Sequence, residues 1–210
     1  MKSKLQIVVQ GTRKIITYLK KYLKVPYKLY YFAKQNENYF KKLKKADVVI
    51  TMSWGKTMWG GTENLKVPEV QNLKLIHLPG AGTDAINFSQ LPKNCKVCNV
   101  YEHEIPIAEY CLANILNWEM NLIEKTSKFK NLDWSDCMIF DGPTHSELYD
   151  KTIGILGYGK IGKEIAKRIK PFGTHLIGYT RTNRKKDKYL NNLYLSKDLK
   201  KSVGNIDYLI

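Results

Sequence analysis

Short apolar runs recur through the first hundred positions, set apart by polar stretches of loop or helix length. Residues 5–9 and 27–32 are dominated by Leu, Ile, Val, Tyr and Phe, and each reads as a β-strand. Between 36 and 45 the apolar period changes, and Tyr39, Phe40 and Leu43 share one side of a predicted helix. Residues 47–52 then form a nearly continuous apolar run, as in a strand covered on both faces of a parallel sheet. Residues 73–78 and 95–100 read as the next strands. Strands alternating with crossovers of this length imply an α/β fold.

The longest helical pattern covers 105–123, where Ile107, Ala108, Cys111, Leu112, Ile115, Leu116 and Leu122 recur at helical spacing. Glu109, Asn114, Asn117 and Glu119 interrupt it, so it reads as a buried helix and not as a membrane span. Residues 125–150 are polar and aromatic, with a turn signal at 141–143, and read as a surface connector. No internal repeat or low-complexity tract is present.

The densest information lies after residue 150. Residues 152–156 read as a strand and 163–170 as a helix with Ile165, Ala166 and Ile169 inward. Pro171 and Gly173 stop that helix, and 175–179 read as a second strand. Between the first strand and the helix stand Gly157, Tyr158, Gly159, Lys160, Ile161 and Gly162, a G-x-G-x-x-G sequence. The first glycine suits a tight turn, the second lets a pyrophosphate approach, and the third lets helix and strand pack closely. The helix start would add free amides and a positive end to hold the phosphates. A ligand-free glycine turn is the plainer reading, but the strand–turn–helix–strand setting favours a dinucleotide.

An NAD site usually places an acid at the end of the second strand. Here Thr180, Arg181 and Thr182 stand instead, with Arg184, Lys185 and Lys186 nearby. A guanidinium fork and threonine hydroxyls suit a 2′-phosphate, which favours NADP(H) over NAD(H) without closing the choice. A solvated basic loop is the competing account.

Charge enters here. The 35 Lys+Arg against 19 Asp+Glu give a net charge of +16, and residues 151–210 hold 14 of those cations against four acids. Only Arg13, Arg168, Arg181 and Arg184 are arginine, whereas base readout leans on Arg forks. A nucleic-acid partner is therefore not expected, and most of the lysine should face solvent. No run approaches the roughly 18 apolar residues of a membrane helix, so no membrane partner is expected. Two lysines near the N-terminus lack an apolar run behind them, which predicts no signal peptide and a cytoplasmic protein. The length of 210 residues suits one or two domains. Cys95 and Cys98 are the only close cysteine pair, too little for a zinc site, and all four thiols are expected to be free and at least half buried. No metal is expected.

Three blocks carry a family resemblance: residues 75–84, residues 99–109, and Trp134 followed by 151–162. In this order and spacing the chain resembles the D-isomer-specific 2-hydroxy acid dehydrogenases over most of 73–182. The resemblance implies a flavodoxin-like substrate domain over 1–98 and a Rossmann-type NAD(P)-binding domain over 99–210, each partial. It implies hydride transfer between a nicotinamide and a small 2-hydroxy or 2-keto carboxylate, across a cleft between the domains. Ala81 and Gly82 would offer amides to the carboxylate, although Gly80–Gly82 also suits a plain turn. Ile107 would line the nicotinamide side, or be a core residue. Thr180 and Arg181 resemble the pattern of NADP-using hydroxypyruvate and glyoxylate reductases, and the full-length protein would be a homodimer.

The same resemblance predicts what these residues lack. The family's catalytic Arg, Glu and His belong to segments after the fourth cofactor-domain strand, which 207–210 would form. The 210-residue chain is thus expected to be a fragment without its catalytic set, inactive or nearly so alone. Glu119, Met120 and Asn121 stand where the family has an arginine at the end of its linking helix. Of His77, His103, His145 and His175, only His103, between Glu102 and Glu104, is a weak acid–base candidate. His77 reads as a core histidine, and Trp54 and Trp59 as surface packing or an overhang of the cleft. The competing classes are a non-catalytic dinucleotide-binding sensor and a basic nucleic-acid-binding surface.

Overall fold

The computed structural model describes residues 4–11, 13–57, 65–137 and 142–210, so Trp59 and Asp141 lie outside the described residues. The chain divides into two compact units, Met1–Tyr101 and Glu102–Ile210.

In the first unit β1 (Leu5–Gln10), α1 (Lys14–Tyr22), β2 (Tyr27–Phe32), α2 (Glu37–Leu43), β3 (Val48–Ile50), β4 (Leu75–His77) and β5 (Lys96–Cys98) follow in order. All strand pairs are parallel, in the order β2-β1-β3-β4-β5. That is the flavodoxin-type order of a doubly wound sheet. Alternation along β1 sends Val8 to one core with Tyr39, Leu43, Val49 and Ile76. Ile7 and Val9 face the other side, where Ile50 is buried and Ile15 and Leu19 of α1 pack. Asn36 caps α2 by accepting from the Tyr39 amide at 2.9 Å, which satisfies a first-turn donor.

The second unit contains α3 (Glu104–Met120), α4 (Leu122–Lys130), β6 (Thr152–Leu156), α5 (Lys160–Ile169), β7 (His175–Thr180), β8 (Asn192–Leu195), α6 (Leu199–Ser202) and β9 (Tyr208–Leu209). Its parallel sheet runs β8-β7-β6-β9. In chain order this is 3-2-1-4, the first four positions of the Rossmann order. Ala108 and Ile115 of α3 join Ile165, Ala166 and Ile169 of α5 and Ile153 and Ile155 of β6 in one core. Arg168 pairs with Glu164 one turn back and reaches Glu109 of α3 at 3.8 Å.

Several sequence expectations are corrected. The predicted helix over 105–123 is two helices, because Asn121 adopts a left-handed φ of 52° and ends α3 there. Leu122 therefore starts α4 and is exposed, and the expected connector over 125–150 opens with helix. Helix α1 is an element that the apolar pattern does not predict. Trp54 is neither surface nor overhang: it is buried in the first core, and its indole N–H donates to the Gln90 carbonyl at 3.2 Å. His77 is only half buried, because β4 ends at the rim of a cavity. Cys98 and Cys137 are exposed, Cys98 because β5 is the sheet edge, although all four thiols are free. No helix among the described residues is long and apolar enough to cross a membrane.

Candidate dinucleotide-binding site

The order of the second sheet reverses at β6, between β7 and β9, and in such sheets ligands bind beyond the carboxyl ends of strands at the reversal. The glycine turn occupies that end. Gly157 has φ +103°, a region that L side chains rarely adopt. The Gly157 and Tyr158 amides both donate to the Tyr179 carbonyl, at 3.0 and 2.9 Å, which locks the turn to the end of β7 beside Thr180. A Cβ at Gly162 would stand 2.8 Å from the Gly157 carbonyl oxygen and 3.0 Å from Ile155 Cγ2, so helix and turn touch through a missing side chain. A Cβ at Gly159 would meet nothing within 4 Å, and the turn is open on that side.

Helix α5 begins at Lys160, and Ile161 and Gly162 stand in its first turn, where amides lack intrahelical acceptors. No acid stands in that turn to offset the positive helix end, and Lys160 and Lys163 add further charge. Cations are unfavourable there unless an anion is bound. The open glycine, the first-turn amides and the positive field fit a dinucleotide pyrophosphate.

The loop after β7 lies against this turn. Thr180 is buried, and Arg181 and Thr182 are exposed. Arg184 donates to the Tyr158 carbonyl at 3.2 Å and approaches the Thr182 hydroxyl at 3.5 Å. The Tyr158 ring is buried, and its hydroxyl donates to Asp187. Burial first, and then the Asp187 carboxylate, push the Tyr158 phenol far above its ordinary range. Lys163 of α5 stands 3.7 Å from the same carboxylate.

In the first unit the segment 80–82 follows β4. Asn99 donates to the Ala81 carbonyl at 2.7 Å, and the Val100 amide reaches the Gly80 carbonyl at 3.4 Å. Ala81 and Gly82 are exposed. His77 borders an apolar cavity of about 400 Å³ with Ile15, Tyr18, Leu19, Pro79 and Val100.

Residues 112–210 match the model of the D-isomer specific 2-hydroxyacid dehydrogenase, NAD binding domain. A D-3-phosphoglycerate dehydrogenase of Methanocaldococcus jannaschii is 31% identical over 170 residues, which cover 80% of this chain and 28% of that protein. Residues 112–210 thus carry the NAD-binding domain of the D-isomer-specific 2-hydroxyacid dehydrogenase family. A hydroxypyruvate reductase of Thermotoga maritima is 32% identical over 111 residues, 52% of this chain and 35% of that protein. The chain thus spans about a third of the length of these two relatives. The fold is shared with D-lactate dehydrogenase from Aquifex aeolicus, solved with NAD and lactic acid: TM-score 0.68, 23% identity, 97% of this chain and 59% of that one.

Within the second unit the structure brings together the six residues from Gly157 to Gly162 with Thr180, Thr182 and Arg184. Ile107 lies on α3 and is exposed, and Ala81 and Gly82 belong to the other unit. His103 directly precedes α3, and its carbonyl accepts from the Ile107 amide at 3.3 Å. His145 is exposed, with its ring 3.0 Å from the Ser146 carbonyl, and His175 contacts Asp150 at 2.8 Å. Trp134 is exposed and packs on Phe129. Among the described residues no group of three His, Cys, Asp or Glu is placed to hold a metal ion. Asp187 carries no local sequence signal, because only the folded chain brings it to Tyr158.

Proposed function

We propose that the chain supplies cofactor- and substrate-binding parts of an NAD(P)-dependent 2-hydroxy acid dehydrogenase, working as a 2-keto acid reductase in the other direction. The observation that carries this reading is the glycine turn, open at Gly159 and closed by contact at Gly162, set against a helix start without acids. The dinucleotide, when bound, supplies the hydride chemistry at the substrate carbon that bears the oxygen.

The residues of this chain bind and orient. In this reading the stretch Gly157, Tyr158, Gly159, Lys160, Ile161 and Gly162 takes the pyrophosphate, and Ile107 lines the nicotinamide. Thr180, Arg181 and Thr182 take the adenosine ribose. NADP(H) is the preferred cofactor, because no acid ends β7 and Arg181 makes no hydrogen bond or ion pair among the described residues. The Ala81 and Gly82 amides take the substrate carboxylate, with Asn99 steadying their loop. The names of relatives support a small hydroxy- or keto-carboxylate: phosphoglycerate, hydroxypyruvate and glyoxylate. Those names are of dehydrogenases and reductases, and they lend nothing to a non-catalytic sensor. No proton-transfer role is assigned to His103. A homodimer is part of the reading, supported by Trp118 and Ile123 at 78% and 74% exposure around the α3–α4 junction.

Titration of the chain with NADPH and NADH, followed by calorimetry, tests the assignment. Saturable NADPH binding is expected, with Gly159→Val abolishing it and Gly162→Ala weakening it. Binding that Gly159→Val leaves intact, or no binding of either nucleotide, overturns the reading.

A further inference from the structure

The loop after β7 is fastened to the glycine turn from both sides. Tyr158 turns its ring inward, at 2% exposure, and a Cβ on Gly178 would lie 3.1 Å from that ring. Its hydroxyl donates to the two carboxylate oxygens of Asp187, at 2.8 and 3.0 Å. Asp187 Oδ1 also accepts from the Tyr189 amide at 3.1 Å, so one carboxylate braces the loop backbone and the turn together. From the other side Arg184 donates to the Tyr158 carbonyl.

Packing alone does not require that hydroxyl, because a phenylalanine ring fills the same space. The loop needs it. Residues 181–188 carry Arg181, Arg184, Lys185, Lys186 and Lys188 with Asp187 as their single acid, in a stretch without helix or strand. Five like charges on irregular backbone repel one another and favour an open loop. A charge-assisted bond from a buried phenol to that acid opposes the opening.

We propose that the Tyr158–Asp187 bond is a positioning clasp that holds the basic loop against the glycine turn and thereby sets selectivity for a 2′-phosphorylated dinucleotide. The inference rests on the dinucleotide reading above and adds residues that do not themselves touch the phosphate. NADH lacks the group that the loop cations would hold, so its binding is indifferent to the clasp.

The test measures NADPH and NADH affinities of the whole chain with Tyr158→Phe, Asp187→Ala and Asp187→Asn. Asp187→Ala is expected to weaken NADPH about tenfold and to leave NADH within about twofold, the scale of one charge-assisted bond, and Tyr158→Phe to weaken NADPH more than NADH. Asp187→Asn keeps an Oδ1 acceptor for both the Tyr158 hydroxyl and the Tyr189 amide but loses the charge, so its NADPH affinity should fall between those of the parent and Asp187→Ala. Unchanged NADPH affinity in Tyr158→Phe overturns the proposal, as does an equal loss for both nucleotides. Amide hydrogen exchange of 182–189 without nucleotide tests the clasp separately from the cofactor reading. Faster exchange in Tyr158→Phe supports the clasp, and unchanged protection overturns it. A chain that binds NADH alone, with faster exchange in the variant, overturns the selectivity role and the NADP(H) reading but not the fastening itself.

Discussion

The Tyr208 hydroxyl donates to the Glu119 carboxylate at 2.5 Å and so ties β9 to the last turn of α3. Glu119 is only 6% exposed, and burial followed by this carboxylate pushes the Tyr208 phenol well above its ordinary range. A buried carboxylate that loses a donor bears its desolvation unrelieved, at about 1–3 kcal/mol. Tyr208→Phe should therefore lower the stability of the second unit by about that amount in urea unfolding, with the slope unchanged. Glu119→Gln keeps an acceptor for the hydroxyl and should cost less. A Tyr208→Phe variant as stable as the parent would contradict a supporting role for the bond.

The two units use an acid in the same way. Asp47 accepts from the Gln6 amide of β1 at 2.9 Å, and Asp207 from the Thr152 amide of β6 at 2.7 Å. Burial pushes the Asp47 carboxyl up, but the Gln6 amide and Lys74, 2.8 Å away, outweigh it and hold the group below the usual carboxylate range. A folded pKa below the unfolded one gives stability that is present above the unfolded value and lost as pH falls through the folded one. Asp47→Asn should thus flatten the acid limb of the stability profile of the first unit. Denaturation midpoints taken between about pH 7 and pH 2 read this directly, and an acid limb as steep as the parent's would remove Asp47 from the account.

What the sequence made legible follows from the range of the interactions involved. The strands at 5–9 and 27–32 and the glycine turn announce themselves within a few residues, through β-type runs and glycines at fixed offsets. Helix α1 also carries a local signal, with Ile15, Leu19 and Leu23 four apart, but Lys20, Lys21 and two exposed tyrosines mask it. The break at Asn121 has no signature in the hydrophobic period, because Leu122 continues the apolar spacing while one left-handed residue redirects the chain. The glycine-rich neighbourhood of Trp54 suggests surface, whereas its backbone bridges to Ile86 and its ring enters the core. Contacts such as Tyr158 to Asp187 join residues far apart in sequence, and only the assembled sheet brings them together.

Tyr39 supplies an alkaline counterpart to Asp47. Burial pushes its phenol up to about 12 from an ordinary value of 10.0. A raised folded pKa gives stability that is complete below the unfolded value and lost as pH rises towards the folded one. The first unit should lose roughly 2–3 kcal/mol from this group between about pH 10 and pH 12. In Tyr39→Phe the ring still fills the core of Val8, Leu43 and Ile76 but cannot ionise. Its stability should decline less over that interval, as urea midpoints at stepped pH would show. A parallel decline in parent and variant would assign the alkaline loss elsewhere.

Arg181 is the residue on which cofactor choice should turn. It follows the buried Thr180 at the end of β7, is exposed, and makes no hydrogen bond or ion pair among the described residues, so its guanidinium is available to an incoming anion. A fork-shaped cation gives a phosphate two parallel charge-assisted bonds, and a carboxylate in its place repels it. That carboxylate also restores the acid that a ribose with free hydroxyls prefers at this position. Arg181→Asp should therefore weaken NADPH more than about tenfold while leaving NADH unchanged or tighter, which inverts the ratio of the two affinities. Calorimetric titration of parent and variant with both nucleotides measures that ratio. If it does not move, discrimination resides in Arg184 or the neighbouring lysines, and Arg181 is a solvated cation.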